Sequence, residues 1–322
     1  MKRDTNIDSS DMKFLTFGAI LLMQNVNAST LSWWDMTPET VRERINQRIM
    51  SIEAPAPAVA SMIDRTVSRD SRNTPIRIYK PNGESNLPMI LLIHGGAWVA
   101  GNLDTHDHLA RYLCSESRAI VISVGYLNAP EGKFPLPLEQ CYDVLLWSIE
   151  HSHELSVNVA KLALVGDSAG GNMASALCLM SKDRAGPKIT LQVLINPAPD
   201  LTCNGTLSRQ NDALDQLRWQ ALQYLSDPQD ANHPYVSPLS ASDLSGLPPT
   251  LVILAEKDDL REAGQKYADR LKAAGIPTCT YCQQGINHLA GDGARASLRA
   301  QESLAVGVTA LRQAFSENEV GE

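Results

Sequence analysis

The chain has 322 residues, 43% of them hydrophobic and 20% charged, and a net charge of −8. These proportions exclude a disordered or fibrous chain and fit a globular one with a sizeable core. The acidic balance and the lack of any basic run exclude a nucleic-acid surface. Cys114, Cys141, Cys178, Cys203, Cys279 and Cys282 are scattered rather than clustered. They are expected as reduced, mostly buried thiols and not as a disulfide framework.

The segment from Met12 to Ala28 imitates a secretory signal, with Lys13 ahead of an apolar run and a small residue at its end. Asp4, Asp8 and Asp11 precede it, so a signal would have to begin at Met12, and the run is too short to span a bilayer. Capped by Ser9, Ser10 or Asp11, it also reads as an apolar helix. The helix reading, which is preferred, places the protein in the cytoplasm, whereas the signal would export it. Thr37, Pro38 and the helical spacing of Val41, Ile45 and Ile49 predict a second short helix, ended by "APAPAVA". Two organisational units follow: N-terminal helices over residues 1–55 and a main domain over 56–322.

"IRIYKPNGES" reads as a strand entering a turn at Asn82 and Gly83. Short apolar runs then alternate with longer helical patterns. "PMILLIH" precedes a helix near "THDHLARYLCSES", "AIVISVGY" precedes "LEQCYDVLLWSIEHS", and "KLALVGD" precedes a helix that starts after Ser168. "ITLQVLIN", "TLVILAE" and "TCTYCQQ" continue the series, with "REAGQKYADRLKAAG" between the last two and a final helix through "SLAVGVTALRQAF". Uniformly apolar strands are covered on both faces, which defines an α/β fold with a mostly parallel central sheet flanked by helices. Residues from about 200 to 247 lack a strand pattern and surround one helix, "NDALDQLRWQALQYL", as an insertion over one sheet edge.

Ser168 sits in "GDSAGG", at the junction of a buried strand and a helix. Ligands of open α/β sheets bind beyond the carboxyl ends of the strands. G-x-S-x-G at such a turn holds a serine in a strained conformation with its hydroxyl exposed, and Gly166 and Gly170 leave room for it. The helix N-terminus beneath favours developing negative charge. "HGGAW" follows "PMILLI", where the amides of Gly95 and Gly96, with that of Ala169, are expected to form an oxyanion hole. His94 reads as an organiser of that loop rather than a base.

"HGGAWVAGNLDTHD", "GDSAGG", "YLNAPEGKFP" and "YVSPL" together resemble the hormone-sensitive-lipase-like carboxylesterases of the α/β-hydrolase fold, close to bacterial acetyl esterases, from about Thr37 to near the C-terminus. The resemblance implies that the N-terminal helices and the 200–247 insertion form a cap. It also implies hydrolysis of short-chain acyl esters, acetyl to hexanoyl, through an acyl-enzyme. The order serine, acid, histidine leaves His233 and His288 as bases. His288, in a loop after "TCTYCQQ", is the expected one, and His233 a structural residue of the insertion. For the acid, Asp258 follows a strand end and matches the aspartate of the family's D-P-L element, ahead of its neighbour Asp259 and of Glu256. Ala97 stands for the family's third glycine, "HLA" for its usual "HGF", and "GYLNAPE" lacks its common aspartate and arginine.

Catalytic Ser168, Asp258 and His288 require no cofactor and no metal, and "THDH" places two histidines on different helix faces. Trp33, Trp34 and Trp98 are candidates for lining the pocket or for packing beside it. The partner is a small-molecule ester, and a homodimer is an expectation of the resemblance alone. An amidase or peptidase on the same triad and a non-catalytic binding protein, like the plant gibberellin receptors that resemble this family, are the alternatives.

Overall fold

The computed structural model describes residues 33–51, 56–83, 85–202, 211–288 and 298–316. The helix and signal readings of Met12–Ala28 lie outside these residues. Two compact units are present, Met1–Met36 and Thr37–Glu322. In the first, the described residues form a short 3-10 turn, Trp33–Asp35.

In the second unit α1 is Pro38–Met50, capped by Thr37 and started by Pro38 as its sequence predicts. It docks on the main domain of the same unit. Arg42 Nε donates to Val99 O at 2.8 Å and its Nη2 to Ala129 O at 2.9 Å, while Asn46 Oδ1 accepts the Gly101 amide at 2.9 Å.

An eight-stranded sheet carries the unit, in the order β1-β2-β4-β3-β5-β6-β7-β8. The strands are β1 Ser61–Arg69, β2 Arg72–Lys80, β3 Leu87–Ile93, β4 Ile120–Val124, β5 Val157–Asp167, β6 Leu191–Ile195, β7 Thr250–Ala255 and β8 Thr278–Gln283. From β4 across to β8 all pairs are parallel, whereas β2 is antiparallel to both of its neighbours. The helices between them are α2 Asp107–Ser117, α3 Leu136–Glu150, the single turn α4 Ser152–Leu155, α5 Ala169–Asp183, α6 Asn211–Tyr224, α7 Arg261–Ala273 and α8 Leu298–Ser316.

Met89 to Ile93 are all fully buried, because alternate side chains enter the cores on opposite faces of the sheet. Ile90 and Leu92 join Val121, Val165, Val193 and Ile253 beneath Leu109 and Leu113 of α2 and Leu304, Val308 and Leu311 of α8. On the other face α5 packs on β5 and β6, and α7 on β7 and β8. Truncating one such side chain, as in Leu91→Ala, removes about 2–5 kcal/mol of stability.

β1 has no counterpart in the sequence reading. It is a polar edge strand with Met62 and Ile63 exposed, joined to β2 by Asp70 and Ser71, whose φ of 44° and 63° suit a two-residue hairpin turn. A half-buried ion pair ties this ribbon down: Arg72 Nε and Nη2 donate to Asp143 of α3 at 2.6 and 2.9 Å. The described residues between β6 and β7 contain α6 and two 3-10 turns, Pro228–Asn232 and Pro238–Ser240, and no strand. The guanidinium of Arg270 in α7 donates to the carbonyls of Leu239 and Ala241, fixing the end of this insertion.

Candidate active site

β5 ends at Asp167 and α5 begins at Ala169, so Ser168 occupies the junction alone, with φ 54° and ψ −117°. A non-glycine residue in that region is strained and persists only where the surroundings hold it. Its amide donates to Ile195 O at 2.8 Å, and its carbonyl accepts from Asn172 N at 3.0 Å and Ala198 N at 3.3 Å. A Cβ on Gly166 would collide with the Gly170 carbonyl, and one on Gly170 with the carbonyls of Ile93 and His94. Both positions therefore admit only glycine, and the tight turn leaves Ser168 partly exposed.

The loop after β7 and the loop after β8 meet at the same sheet end. His288 Nδ1 lies 2.8 Å from Asp258 Oδ2, and Asp258 Oδ1 accepts the Leu260 amide at 3.0 Å. The Asp258 side chain is 4% exposed and that of His288 34%. Burial works against the charged form of His288, but the Asp258 charge and hydrogen bond, helped by the charge of Asp167, outweigh it and raise its pKa above the ordinary 6.5. Glu256 plays a different part. Its Oε2 accepts the Gly285 amide at 2.7 Å, steadying the loop that carries His288. Asp259 is partly exposed beside them. His233 lies in the insertion, where its Nδ1 accepts the Tyr235 amide at 3.0 Å.

His94 is fully buried, stacked on Tyr126 with ring centroids 4.1 Å apart, and its Nδ1 lies 2.9 Å from Gly95 O. Burial, with the nearby His106, pushes its pKa down to about 3. The ring is thus neutral, and its place is inside the loop, away from a reacting group.

The expected oxyanion donor Gly95 requires correction, because its amide is already committed, donating to Asp167 Oδ1 at 2.9 Å. Gly96 follows, its carbonyl accepting from Val99 N at 3.1 Å and Ala100 N at 2.8 Å in a turn that gives Ala97 and Trp98 φ values of 59° and 61°. Among the described residues no acceptor takes the amides of Gly96, Ala97 or Ala169. Sequence reading names the Ala97 amide as available but misses the contacts that Asp167 and His106 make with this loop. Trp98, a candidate for lining the pocket, is buried and stacks on Tyr224 of α6 at 5.2 Å. Trp33 and Trp34 belong to the separate first unit. Among the described residues no three His, Cys, Asp or Glu side chains gather as a metal site.

A serine on a strained strand-to-helix turn, a histidine paired with a buried carboxylate and free backbone amides nearby define the class of the α/β serine hydrolases. Comparison with known proteins agrees. A family model described as the α/β hydrolase fold matches residues 90–290. The arylesterase of Saccharolobus solfataricus is 34% identical over 256 residues, 78% of this chain and 83% of the relative. The ethyl acetate hydrolase of Pseudomonas putida is 33% identical over 257 residues, 76% of this chain and 80% of the relative. The esterase of the archaeon Pyrobaculum calidifontis superposes with a TM-score of 0.80 at 34% identity, covering 87% of this chain and 94% of that one. The chain belongs to the α/β-hydrolase family, in its hormone-sensitive-lipase-like carboxylesterase branch, and is a carboxylic ester hydrolase. No helix of the described residues is long and apolar enough to cross a membrane.

Proposed function

We propose that this carboxylesterase cleaves short-chain acyl esters, acetyl to hexanoyl, through Ser168, His288 and Asp258. The observation that carries the triad is the pairing of His288 with Asp258 at 2.8 Å at the sheet end where Ser168 is displayed. Support for short acyl groups comes from the similarity to an ethyl acetate hydrolase.

His288, neutral and oriented by Asp258 at Nδ1, takes the Ser168 hydroxyl proton on Nε2 as Oγ attacks the ester carbonyl. The carbonyl oxygen becomes an oxyanion, stabilised by the amides of Gly96, Ala97 and Ala169 and by the N-terminus of α5. Collapse expels the alcohol, which takes the proton from His288 and leaves an acyl-Ser168 ester. Water then attacks, giving its proton to the same imidazole, and the second collapse releases the acid and restores Ser168. The N-terminal helices and the insertion serve in this reading as a cap that limits the acyl chain. The anchoring of α1 on residues 99–101 supports that placement for its second helix.

The test is hydrolysis of p-nitrophenyl esters from acetate to palmitate by wild type, Ser168→Ala and His288→Ala. Short esters should turn over, with kcat falling steeply beyond hexanoate and by about a thousandfold or more in both variants. Undiminished turnover by Ser168→Ala would falsify the nucleophile assignment. A rate that holds through palmitate would overturn the short-chain reading.

A further inference from the structure

Beside Ser168 lies a carboxylate that the hydrolysis itself does not use. Asp167 has no exposed surface, and a buried charge is tolerated only with hydrogen-bonding partners. Its Oδ1 accepts the Gly95 amide at 2.9 Å and lies 3.1 Å from Nε2 of His106, also fully buried. Two lone pairs repel at that separation, so Nε2 carries a proton and donates it to the carboxylate. On the other side of the ring, Thr105 Oγ1 lies 2.9 Å from Nδ1, and Thr105 is bonded to both the amide and the carbonyl of Asn102. A continuous chain of bonds therefore runs from the turn before α2, through His106 and Asp167, to the oxyanion loop.

The effect on that loop follows from peptide geometry. The peptide unit between His94 and Gly95 is held at both ends, its carbonyl by the Tyr126 hydroxyl at 2.8 Å and its N–H by Asp167. The next carbonyl, that of Gly95, lies 2.9 Å from His94 Nδ1, which in a neutral ring at this position is the protonated nitrogen and donates. In a trans peptide N–H and C=O point in opposite directions, so fixing Gly95 O aims the Gly96 amide the other way. The carboxylate also packs directly on the loop: a Cβ on Gly95 would stand 2.5 Å from Asp167 Oδ2.

We propose that Asp167 and His106 are positioning residues of the ester hydrolysis, locking the Gly95 peptide and through it aiming the Gly96 and Ala97 amides at the oxyanion. This inference rests on the Ser168 reading above. Oxyanion donors are effective because they need no reorganisation as charge develops, so loosening their anchor should weaken the transition state more than the bound ester. Asp167 also acts on the base. The charged groups that bear on His288 are Asp258 from the loop after β7, Asp167 from the end of β5 and Arg48 from α1, the two carboxylates favouring the imidazolium and Arg48 opposing it.

The experiment measures kcat, KM and the pH profile of kcat/KM on p-nitrophenyl butyrate for the full chain and for Ser168→Ala, Asp167→Ala, Asp167→Asn, His106→Ala and His106→Gln, with thermal unfolding of each. Asp167→Ala and His106→Ala should lose kcat by about ten- to a hundredfold, with KM changed less than about threefold. His106→Gln, whose amide N–H can replace Nε2–H, should recover part of the loss. Asp167→Asn keeps an oxygen for both donors but no charge, so it should retain more activity than alanine while its acid limb moves to lower pH. If the folded alanine variants turn over within about twofold of wild type while Ser168→Ala is inactive, the positioning role is overturned and the triad stands. A loss confined to KM overturns it equally. Should the alanine variants not fold, an unchanged kcat and pH profile in both Asp167→Asn and His106→Gln overturns it. Full turnover by Ser168→Ala removes the reading and the inference together.

Discussion

The loop proposed to supply the oxyanion amides and the loop that carries His288 leave the same sheet end, after β3 and β8, yet they are held in different ways. The first is bonded from three directions: Asp167 at the end of β5, itself backed by His106 before α2, Tyr126 after β4, and Arg42 and Asn46 of α1. Its organising ring, His94, has no exposed surface. The described part of the second loop is tied to a single segment, through Glu256 to the Gly285 amide, the Lys257 amide to Ile286 O at 3.0 Å, and Asp258 to His288. Its imidazole keeps 34% of its side chain exposed. The difference matches the part proposed for each loop. Dipoles that stabilise a transient charge must already be in place. A base that exchanges protons with serine, alcohol and water needs one defined orientation and a supply of solvent.

Breaking the second loop at its centre should have the largest effect. Asp258→Asn leaves shape intact but removes the charge and favours the wrong imidazole tautomer, and the corresponding change in a protease triad costs kcat about ten-thousandfold. In the proposed mechanism only neutral His288 accepts the serine proton, so activity should fall as pH drops through its folded-state pKa, which Asp258 helps to hold above 6.5. The acid limb of the residual kcat/KM should therefore move to lower pH in Asp258→Asn, and an unmoved limb would remove Asp258 as the partner that sets it. Glu256→Ala strips away the outer tie and should lower kcat by roughly tenfold with little change in unfolding temperature, because the residue is partly exposed. Glu256→Gln, which can still accept from the Gly285 amide, should restore most of that loss. Equal losses in both variants would show that charge, and not the bond to Gly285, is what counts.

The two regions also differed in how far the sequence revealed them. The sequence places Ser168 and His288 just past apolar strands in local patterns and Asp258 after a strand end, and the structure brings His288 and Asp258 together at 2.8 Å at the sheet end that carries Ser168. The strands themselves were legible where both faces are buried, as in Met89–Ile93. The β1 edge strand was not, since a polar strand with Met62 and Ile63 exposed shows no apolar face in its composition. Sequence alone leaves the Gly95 amide looking like a free donor, because its partner is 72 positions away. His106 meets the same carboxylate across 61 positions, and nothing in "THDH" announces that contact. Local patterns disclose which groups are present, whereas the hydrogen bonds that already occupy them are a property of the folded sheet end.

The comparison is sharpened by a substitution expected to spare catalysis. Arg42 spans α1 and the outer side of the oxyanion loop, donating to the carbonyls of Val99 and Ala129 and pairing with Glu131 at 2.6 Å. Arg42→Ala leaves two carbonyls without a charged donor and should cost about 1–3 kcal/mol in urea unfolding, seen as a lower midpoint at unchanged slope. The amides of Gly96 and Ala97, however, are reached from beneath through His94, Asp167 and His106, none of which Arg42 touches. kcat should therefore stay within about threefold of wild type at temperatures where the variant is folded, because the oxyanion donors keep their orientation. A tenfold fall in kcat at constant KM would mean that α1 helps to aim those amides, and that the buried bonds below the loop do not hold it unaided.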